Sequence, residues 1–153
     1  MTDLHQPLRF GANVDPTAND PAWPLTLTRA VERAGLELIG IQDHPYNAHF
    51  LDTWSLIATL LQASERVRIF PNVTNLPLRP PVMLAKAAAT LDVLSGGRLE
   101  LGLGAGAFRA GIEAMGGPGR GRGESVDALE EAVQIMHAFW NSNQALHFEG
   151  KYY

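Results

Sequence analysis

The sequence predicts an α/β fold in which parallel β-strands are joined by crossover helices. Four short apolar segments have strand character, at residues 8–14, 38–42, 67–73 and 99–104. Each is followed by a helical pattern, and the strands begin about 30 residues apart, a period typical of parallel sheets. Two architectures are compatible with this pattern. One is an open doubly wound sheet, and the other is half of a TIM-type barrel, since eight such units take ~250 residues.

The first two helices are predicted from their ends. The first should run from about Ala22 to Ala34, with Pro24 in its first turn and Gly35 directly after its end. Asp52 is a suitable N-cap for the second.

The third and fourth helices are predicted from apolar spacing. The third should follow the prolines at 80 and 81, end at the glycines at 96 and 97, and bury Leu84, Ala87, Ala88 and Leu91. The fourth should bury one stripe, formed by Val126, Leu129, Val133, Met136 and Trp140. Residues 146–153 resemble a strand, a turn at Gly150 and the start of a second strand, so we expect a hairpin in a fragment or a natural truncation.

Composition limits the classes of function. The chain has 153 residues, enough for one domain, and its net charge is −4 without a large basic cluster, so a nucleic-acid partner is not expected. It has no cysteine, which excludes disulfides and thiol nucleophiles. The histidines show no metal-ligand spacing, and no signal or membrane segment is evident. We therefore expect a cytoplasmic protein without a metal and without a membrane partner.

Polar and small residues follow the predicted strands, where parallel α/β folds bind ligands. The second strand ends at Asp43 and His44, the third at residues 72–75, and the fourth at residues 104–106. A histidine at this position can move protons, or it can simply bond to a neighbouring backbone group. Both interpretations remain open from the residues alone.

Three segments together resemble the bacterial luciferase-like family, which contains flavin-dependent monooxygenases and F420-dependent oxidoreductases. They are residues 41–44 (Ile-Gln-Asp-His), residues 73–75 (Val-Thr-Asn) and the longer run at 91–106. The resemblance covers nearly the whole chain, and members of the family are about twice this length. It implies that residues 1–153 form a single domain, four of the eight units of a TIM-type barrel, ending in the insertion after the fourth helix.

The resemblance also implies a function and a site. The function is that of an oxidoreductase that uses FMN or F420 on a small organic substrate, with His44 as the catalytic residue. The residues expected to bind the cofactor are Asp43, Asn72, Val73, Thr74, Ala105 and Gly106. The family pattern implies a cis peptide bond between Asn72 and Val73, a hydrogen-bonding role for Asn75, and small residues at 102–106 that admit a planar ring. Some F420-dependent members carry an acid where this chain has Ala107, so their proton-transfer chemistry is not assigned to it.

Two glycine-rich segments have other interpretations. Residues 102–107 fit a loose dinucleotide-binding fingerprint, which we reject because it lies in the fourth unit and not in the first βα turn. Residues 119–123 precede the fourth helix, and their arginines could bind an anion or lie in a solvated loop.

A competing hypothesis is a cofactor-free half-barrel that serves as an assembly or regulatory module. Four parallel strands have two open edges, and a homodimer could close them.

Overall fold

The computed structural model describes residues 7–153, and these alternate between strands and helices as predicted. The strands are β1 (Gly11–Val14), β2 (Leu38–Ile41), β3 (Arg68–Pro71), β4 (Thr74–Asn75) and β5 (Leu103–Gly104). The helices are α1 (Trp23–Arg33), α2 (Thr53–Gln62), α3 (Pro81–Ser95), α4 (Arg109–Ala114) and α5 (Arg122–Asn141), and a 3-10 turn spans Leu76–Leu78.

All the paired strands are parallel. β1, β2 and β3 form one sheet in that order, with Ile39 of β2 opposite Ala12 and Ile69. A parallel bridge between Ile69 and Leu99 continues the order to the fourth unit, and β4 pairs with β5. The prediction of parallel strands with crossover helices is therefore confirmed.

The strands predicted at 67–73 and 99–104 are shorter than expected, because the backbone changes its hydrogen-bonding partner near their ends. The Asn72 N–H donates to the Ile41 carbonyl of β2 over 2.6 Å. The Thr74 N–H instead donates to the Gly102 carbonyl, directly before β5, over 2.8 Å. The strand predicted at 67–73 therefore ends at Pro71, and a separate pairing begins at Thr74, just beyond the predicted strand. The strand predicted at 99–104 keeps only a bridge and β5, and the first strand begins at Gly11 instead of residue 8.

The predicted helix ends are confirmed where their side chains or dihedral angles show them. The Asp52 carboxylate accepts the N–H of Ser55 over 2.9 Å and caps α2. Helix α3 ends at Gly96, whose φ of 70° is the left-handed conformation that glycine adopts without strain. Helix α1 has Pro24 in its first turn, and Gly35 follows its C-cap.

The buried faces of α3 and α5 differ from the predicted ones. In α5 the buried residues are Ala128, Ala132, Ile135 and Met136. Of the predicted stripe, Met136 is buried and Leu129 packs against the core, whereas Val126 is 60% exposed and Trp140 is 43% exposed. The buried face of α5 is therefore rotated toward Ala128 and Ala132. Small alanines let α5 approach α3, where the Trp140 indole N–H donates to the Ala85 carbonyl over 3.0 Å. In α3 the predicted core residues Leu84 and Ala88 are buried, but Ala87 is exposed and Ala85 is buried instead.

The predictions for two connecting segments were also wrong. Residues 143–149 form no strand, and the following turn is closed by a bond from the Gly150 N–H to the Tyr153 carbonyl. No hairpin forms there because the Glu131 carboxylate of α5 accepts the N–H groups of residues 151–153. The loop expected at 107–123 contains the short helix α4.

Arg98 links several segments of the chain by hydrogen bonds at the end of the sheet where the strands begin. Its guanidinium donates to the carbonyls of Leu61 and Val67 and to the Ser64 hydroxyl, over 2.6 to 3.2 Å. Nearby, Glu100 pairs with both Arg9 and Arg68.

Candidate functional site

A cavity of about 860 Å³ opens at the opposite end of the sheet, where the strands finish. Its walls come from the end of β2, the 72–75 segment, the end of β5, the loop before α4 and the first turn of α5. The cavity is lined by all seven residues predicted for the site, namely Asp43, His44, Asn72, Val73, Thr74, Ala105 and Gly106. The structure therefore brings together residues from three different strand ends.

The 72–75 segment forms the part of the wall between β2 and β5. The peptide bond between Asn72 and Val73 is cis, as the family resemblance implied. The Val73 side chain is 43% exposed, whereas Thr74 and Asn75 are buried, at 0% and 6% exposure.

Two buried polar atoms in this segment lack partners. Within residues 7–153, neither the Thr74 hydroxyl nor the Asn75 side-chain oxygen has a hydrogen-bond partner. A buried polar atom without a partner costs about 1–3 kcal/mol, so native structures hold few of them. Both residues line the cavity, but the two atoms are closed to solvent in the free chain, so a ligand with hydrogen-bonding edges, as a flavin ring has, reaches them only if their side chains turn.

Asp43 is held in place by other groups of the protein. It is 2% exposed, and its carboxylate accepts the Asn75 N–H over 2.9 Å and a two-pronged bond from Arg79 over 3.0 Å. Arg79 also donates to Asp52, the N-cap of α2, over 2.9 Å. Asp43 thus links the end of β2 to the 72–75 segment, and its oxygens are occupied by protein donors.

The charges of this network stabilise one another. Burial acts against the Arg79 cation, but hydrogen bonds and the charges of Asp43 and Asp52 outweigh it and raise the pKa of Arg79. Burial likewise opposes ionisation of Asp52, but hydrogen bonds from Arg79 and Ser55 leave the pKa of Asp52 below its ordinary value. Sequence analysis missed Arg79, because its partners lie 27 and 36 positions away.

His44 follows Asp43 and belongs to an aromatic wall. Its Nδ1 lies 2.7 Å from the Tyr46 hydroxyl, and the Tyr46 ring meets Phe108 edge to face at 5.0 Å between centroids. Gly111 lies behind this pair, where a Cβ would come within 2.8 Å of both rings. Burial, with a contribution from the Asp43 charge, raises the pKa of Tyr46, so the phenol is protonated at neutral pH.

The glycines of the fourth strand do not simply make room for a ring. A Cβ at Gly104 would lie 2.5 Å from Val73, and one at Gly106 would lie 2.5 Å from Pro77 and 2.8 Å from Ile112. The protein itself packs against these two glycines, and the expectation that small residues here admit a planar ring stays a prediction. Ala105, between them, lines the cavity.

Three arginines line the cavity, namely Arg109, Arg120 and Arg122. Arg109 pairs with Glu113 over 2.8 Å. Arg120 donates to the Tyr153 hydroxyl over 3.0 Å, and its guanidinium lies 4.8 Å from the centre of that ring. Among the described lining residues the only carboxylate is that of Asp43, which Arg79 neutralises, so the other charged side chains of the lining are the three arginines, of which Arg109 is paired with Glu113. Sequence analysis identified Arg120 and Arg122 as possible anion ligands but did not include Arg109, which has no distinctive pattern.

The model of the luciferase-like monooxygenase family matches residues 6–153. The chain therefore belongs to that family, and the resemblance inferred from the strand ends is confirmed.

Curated relatives match this chain over only part of their own length. An uncharacterized protein of Mycobacterium tuberculosis is 31% identical over 155 aligned positions, which cover 88% of this chain and 52% of that protein. The pyrimidine monooxygenase RutA of Escherichia coli is 34% identical over 107 positions, 69% of this chain and 29% of RutA. The chain spans about half the length of the first of these relatives.

Solved structures share the fold. An F420-dependent secondary alcohol dehydrogenase in complex with an F420-acetone adduct is 26% identical, with a TM-score of 0.83, and the match covers 94% of this chain and 45% of that one. A type II Baeyer-Villiger monooxygenase from a plasmid of Pseudomonas putida, in complex with FMN, is 21% identical with a TM-score of 0.78 over 95% and 43% of the two chains, and shows the fold alone.

Two kinds of feature are absent from the described residues. No helix within residues 7–153 is both long and apolar enough to cross a membrane. The same residues contain no group of three or more His, Asp or Glu side chains placed to hold a metal ion.

Proposed function

We propose that this chain carries the binding site of an oxidoreductase that uses FMN or F420 on a small organic substrate. The observation that carries the proposal is the pair of buried, unpartnered polar atoms of Thr74 and Asn75 beside the cavity. The family supports this assignment, since a relative in it is a monooxygenase and a solved neighbour is F420-dependent.

The residues present fit such a cofactor. Thr74 and Asn75 would bond the edge of the ring system, Val73 and Asn72 would support its face, and Ala105 and Gly106 would border it. FMN and F420 are both anionic, and the three arginines would bind their charged tails. When bound, either cofactor supplies hydride transfer, which no side chain of this protein can perform.

The protein itself orients the ligands, moves a proton and excludes water. His44 would exchange a proton with the substrate, as its place at the end of β2 favours. Tyr46, Phe108 and Val126 would shield the reacting atoms, since all three line the cavity. Asp43 we assign to positioning, because its oxygens are occupied.

The test is a titration of the purified chain with FMN and with F420, followed by absorbance and fluorescence. Saturable binding of either one supports the proposal and distinguishes the cofactors. Ala105→Leu, which fills part of the cavity, should weaken binding at least tenfold. Ala110→Leu is the matched control, because Ala110 is exposed on α4 and does not line the cavity. Equal affinity of the two variants would place the ligand elsewhere, and no binding of either cofactor to the unmodified chain would refute the proposal.

A second candidate function, an assembly module, is favoured by the open edges of the sheets. Within residues 7–153, β1 pairs only with β2 and β5 only with β4, and Leu8 and Phe10 beside β1 are 87% and 66% exposed. Exposed edges and apolar side chains favour pairing with another chain. The chain would then be one half of a (β/α)8 barrel, a single domain that a second copy completes as a homodimer.

Light scattering tests this second candidate. A dimer that Phe10→Lys converts to a monomer supports pairing at the β1 edge. A monomer that binds FMN or F420 as the unmodified chain does would show that the site needs no second copy.

A further inference from the structure

We infer that Tyr46 is a positioning residue that holds the proton of neutral His44 on Nε2, which makes the imidazole a hydrogen-bond donor to the substrate. The inference deepens the proposed function and rests on it for its catalytic meaning. The geometry behind it belongs to the free chain and can be tested without a cofactor.

The first step is the direction of the bond between the two side chains. The His44 Nδ1 and the Tyr46 hydroxyl are 2.7 Å apart, and one of them must donate. In the described residues the Tyr46 hydroxyl has no other protein partner, so donation from Nδ1 would leave the phenolic proton without a protein acceptor. Donation from the phenol to Nδ1 satisfies both groups at once. The bond made by one ring nitrogen sets which nitrogen carries the proton, so neutral His44 is protonated on Nε2.

The second step is that Tyr46 stays in place and stays protonated. Phe108 packs edge to face on its ring, and the absence of a side chain at Gly111 allows that contact. The raised pKa of Tyr46 leaves the phenol a donor over the working range of pH. Among the charged groups that line the cavity, Asp43 is paired with Arg79, Arg109 is paired with Glu113 and Arg120 donates to the Tyr153 hydroxyl. In the described residues neither these groups nor Arg122 bonds the Nδ1 atom, whose partner is the Tyr46 hydroxyl.

The third step concerns the free face of the imidazole. Within the described part of the chain no protein group bonds Nε2, and the exposed His44 lines the cavity. An N–H at Nε2 selects a substrate with a lone pair at the reacting position, such as a carbonyl or hydroxyl oxygen. The substrate class is therefore a small molecule with a hydrogen-bond acceptor at the reacting position.

The experiment is a long-range ¹H–¹⁵N correlation spectrum of the histidine rings in the free chain, at a pH of about 8.5 where imidazole is neutral. His44→Gln assigns the signals. In the unmodified chain we expect the His44 Nδ1 shift of a nitrogen with a lone pair and the Nε2 shift of a protonated one. Tyr46→Phe should lower the ratio of the Nε2–H to the Nδ1–H form by about 2- to 13-fold, the effect of one hydrogen bond.

Tyr152→Phe is the control, because Tyr152 is a tyrosine outside the cavity lining, and its hydroxyl, unlike that of Tyr46, has no hydrogen-bond partner among the described residues. It should leave the His44 signals unchanged. A protonated Nδ1 in the unmodified chain overturns the inference without any substitution, as does an unchanged ratio in a folded Tyr46→Phe variant. Since neither FMN nor F420 is present, a failure to bind them would refute the proposed function and leave this result standing.

Discussion

Replacing Thr74 with valine should make the free protein more stable and its ligand complex weaker. Thr74 is fully buried, and its hydroxyl has no partner within residues 7–153. An unpartnered buried hydroxyl costs about 1–3 kcal/mol, and valine has nearly the same shape without it. We expect the free energy of unfolding of Thr74→Val to rise by about 1 kcal/mol, which raises Tm by roughly 2–4 °C in a chain of this size.

The same substitution removes a bond that the ligand would make. The loss of one hydrogen bond, about 0.5–1.5 kcal/mol, corresponds to roughly 2- to 13-fold weaker binding of FMN or F420. Thermal unfolding measures the first effect, and the fluorescence titration measures the second. The opposite signs of the two effects distinguish this residue from one that only supports the fold.

Thr28→Val is the matched control. Thr28 is as buried as Thr74, but its hydroxyl donates to the Pro24 carbonyl over 2.8 Å. This substitution should therefore lower stability and leave binding unchanged. A Thr74→Val variant that is less stable than the unmodified chain would contradict the reasoning about the unpartnered atom. A more stable variant with unchanged affinity for both cofactors would show that the hydroxyl does not contact the ligand.

Three further predictions follow from the same contacts. Gly106→Ala should lower the free energy of unfolding by about 1–3 kcal/mol, because φ is 87° and the added Cβ meets Pro77 and Ile112. Gly123→Ala, in the open first turn of α5, should instead raise the free energy of unfolding by up to about 1 kcal/mol. Denaturant titrations measure both effects. The lowered pKa of Asp52 means that its ionisation stabilises the fold above the ordinary value of 3.8 and that this contribution disappears as the pH falls through the lower folded value. Asp52→Asn, which can still cap α2, should therefore flatten the acid limb of a stability–pH curve, and an unchanged limb would contradict the charge network. Arg98→Met should lower the free energy of unfolding by more than about 2 kcal/mol, since it removes the guanidinium that donates to the Ser64 hydroxyl and to three carbonyls, yet it should not alter cofactor affinity.

Much of the site could be predicted because local patterns place it. Parallel strands bring their carboxyl ends to one edge, so His44, Thr74 and Ala105 could be assigned to one place without knowing any contact. The Asp52 cap was equally local, since it depends on a bond three residues away.

The rest depends on contacts between distant parts of the chain. The rotated face of α5 results from Ala128 and Ala132, which are too small to dominate an apolar pattern but allow α3 to approach. Glu131 prevented the predicted hairpin by binding backbone N–H groups 20 to 22 positions later. Such pairings leave no periodic signal in the sequence.

The two arginines at opposite ends of the molecule have a consequence for how the protein can change. Arg98 donates mainly to backbone carbonyl groups, which every residue type has, and it lies where the strands begin. The cavity lies at the other end, supported separately by Arg79. Residues such as Val126, Phe108 and Arg109 can therefore be substituted without breaking the hydrogen bonds of Arg98. Selection can then change which ligands the cavity accepts, while the contacts at the other end of the sheet stay the same.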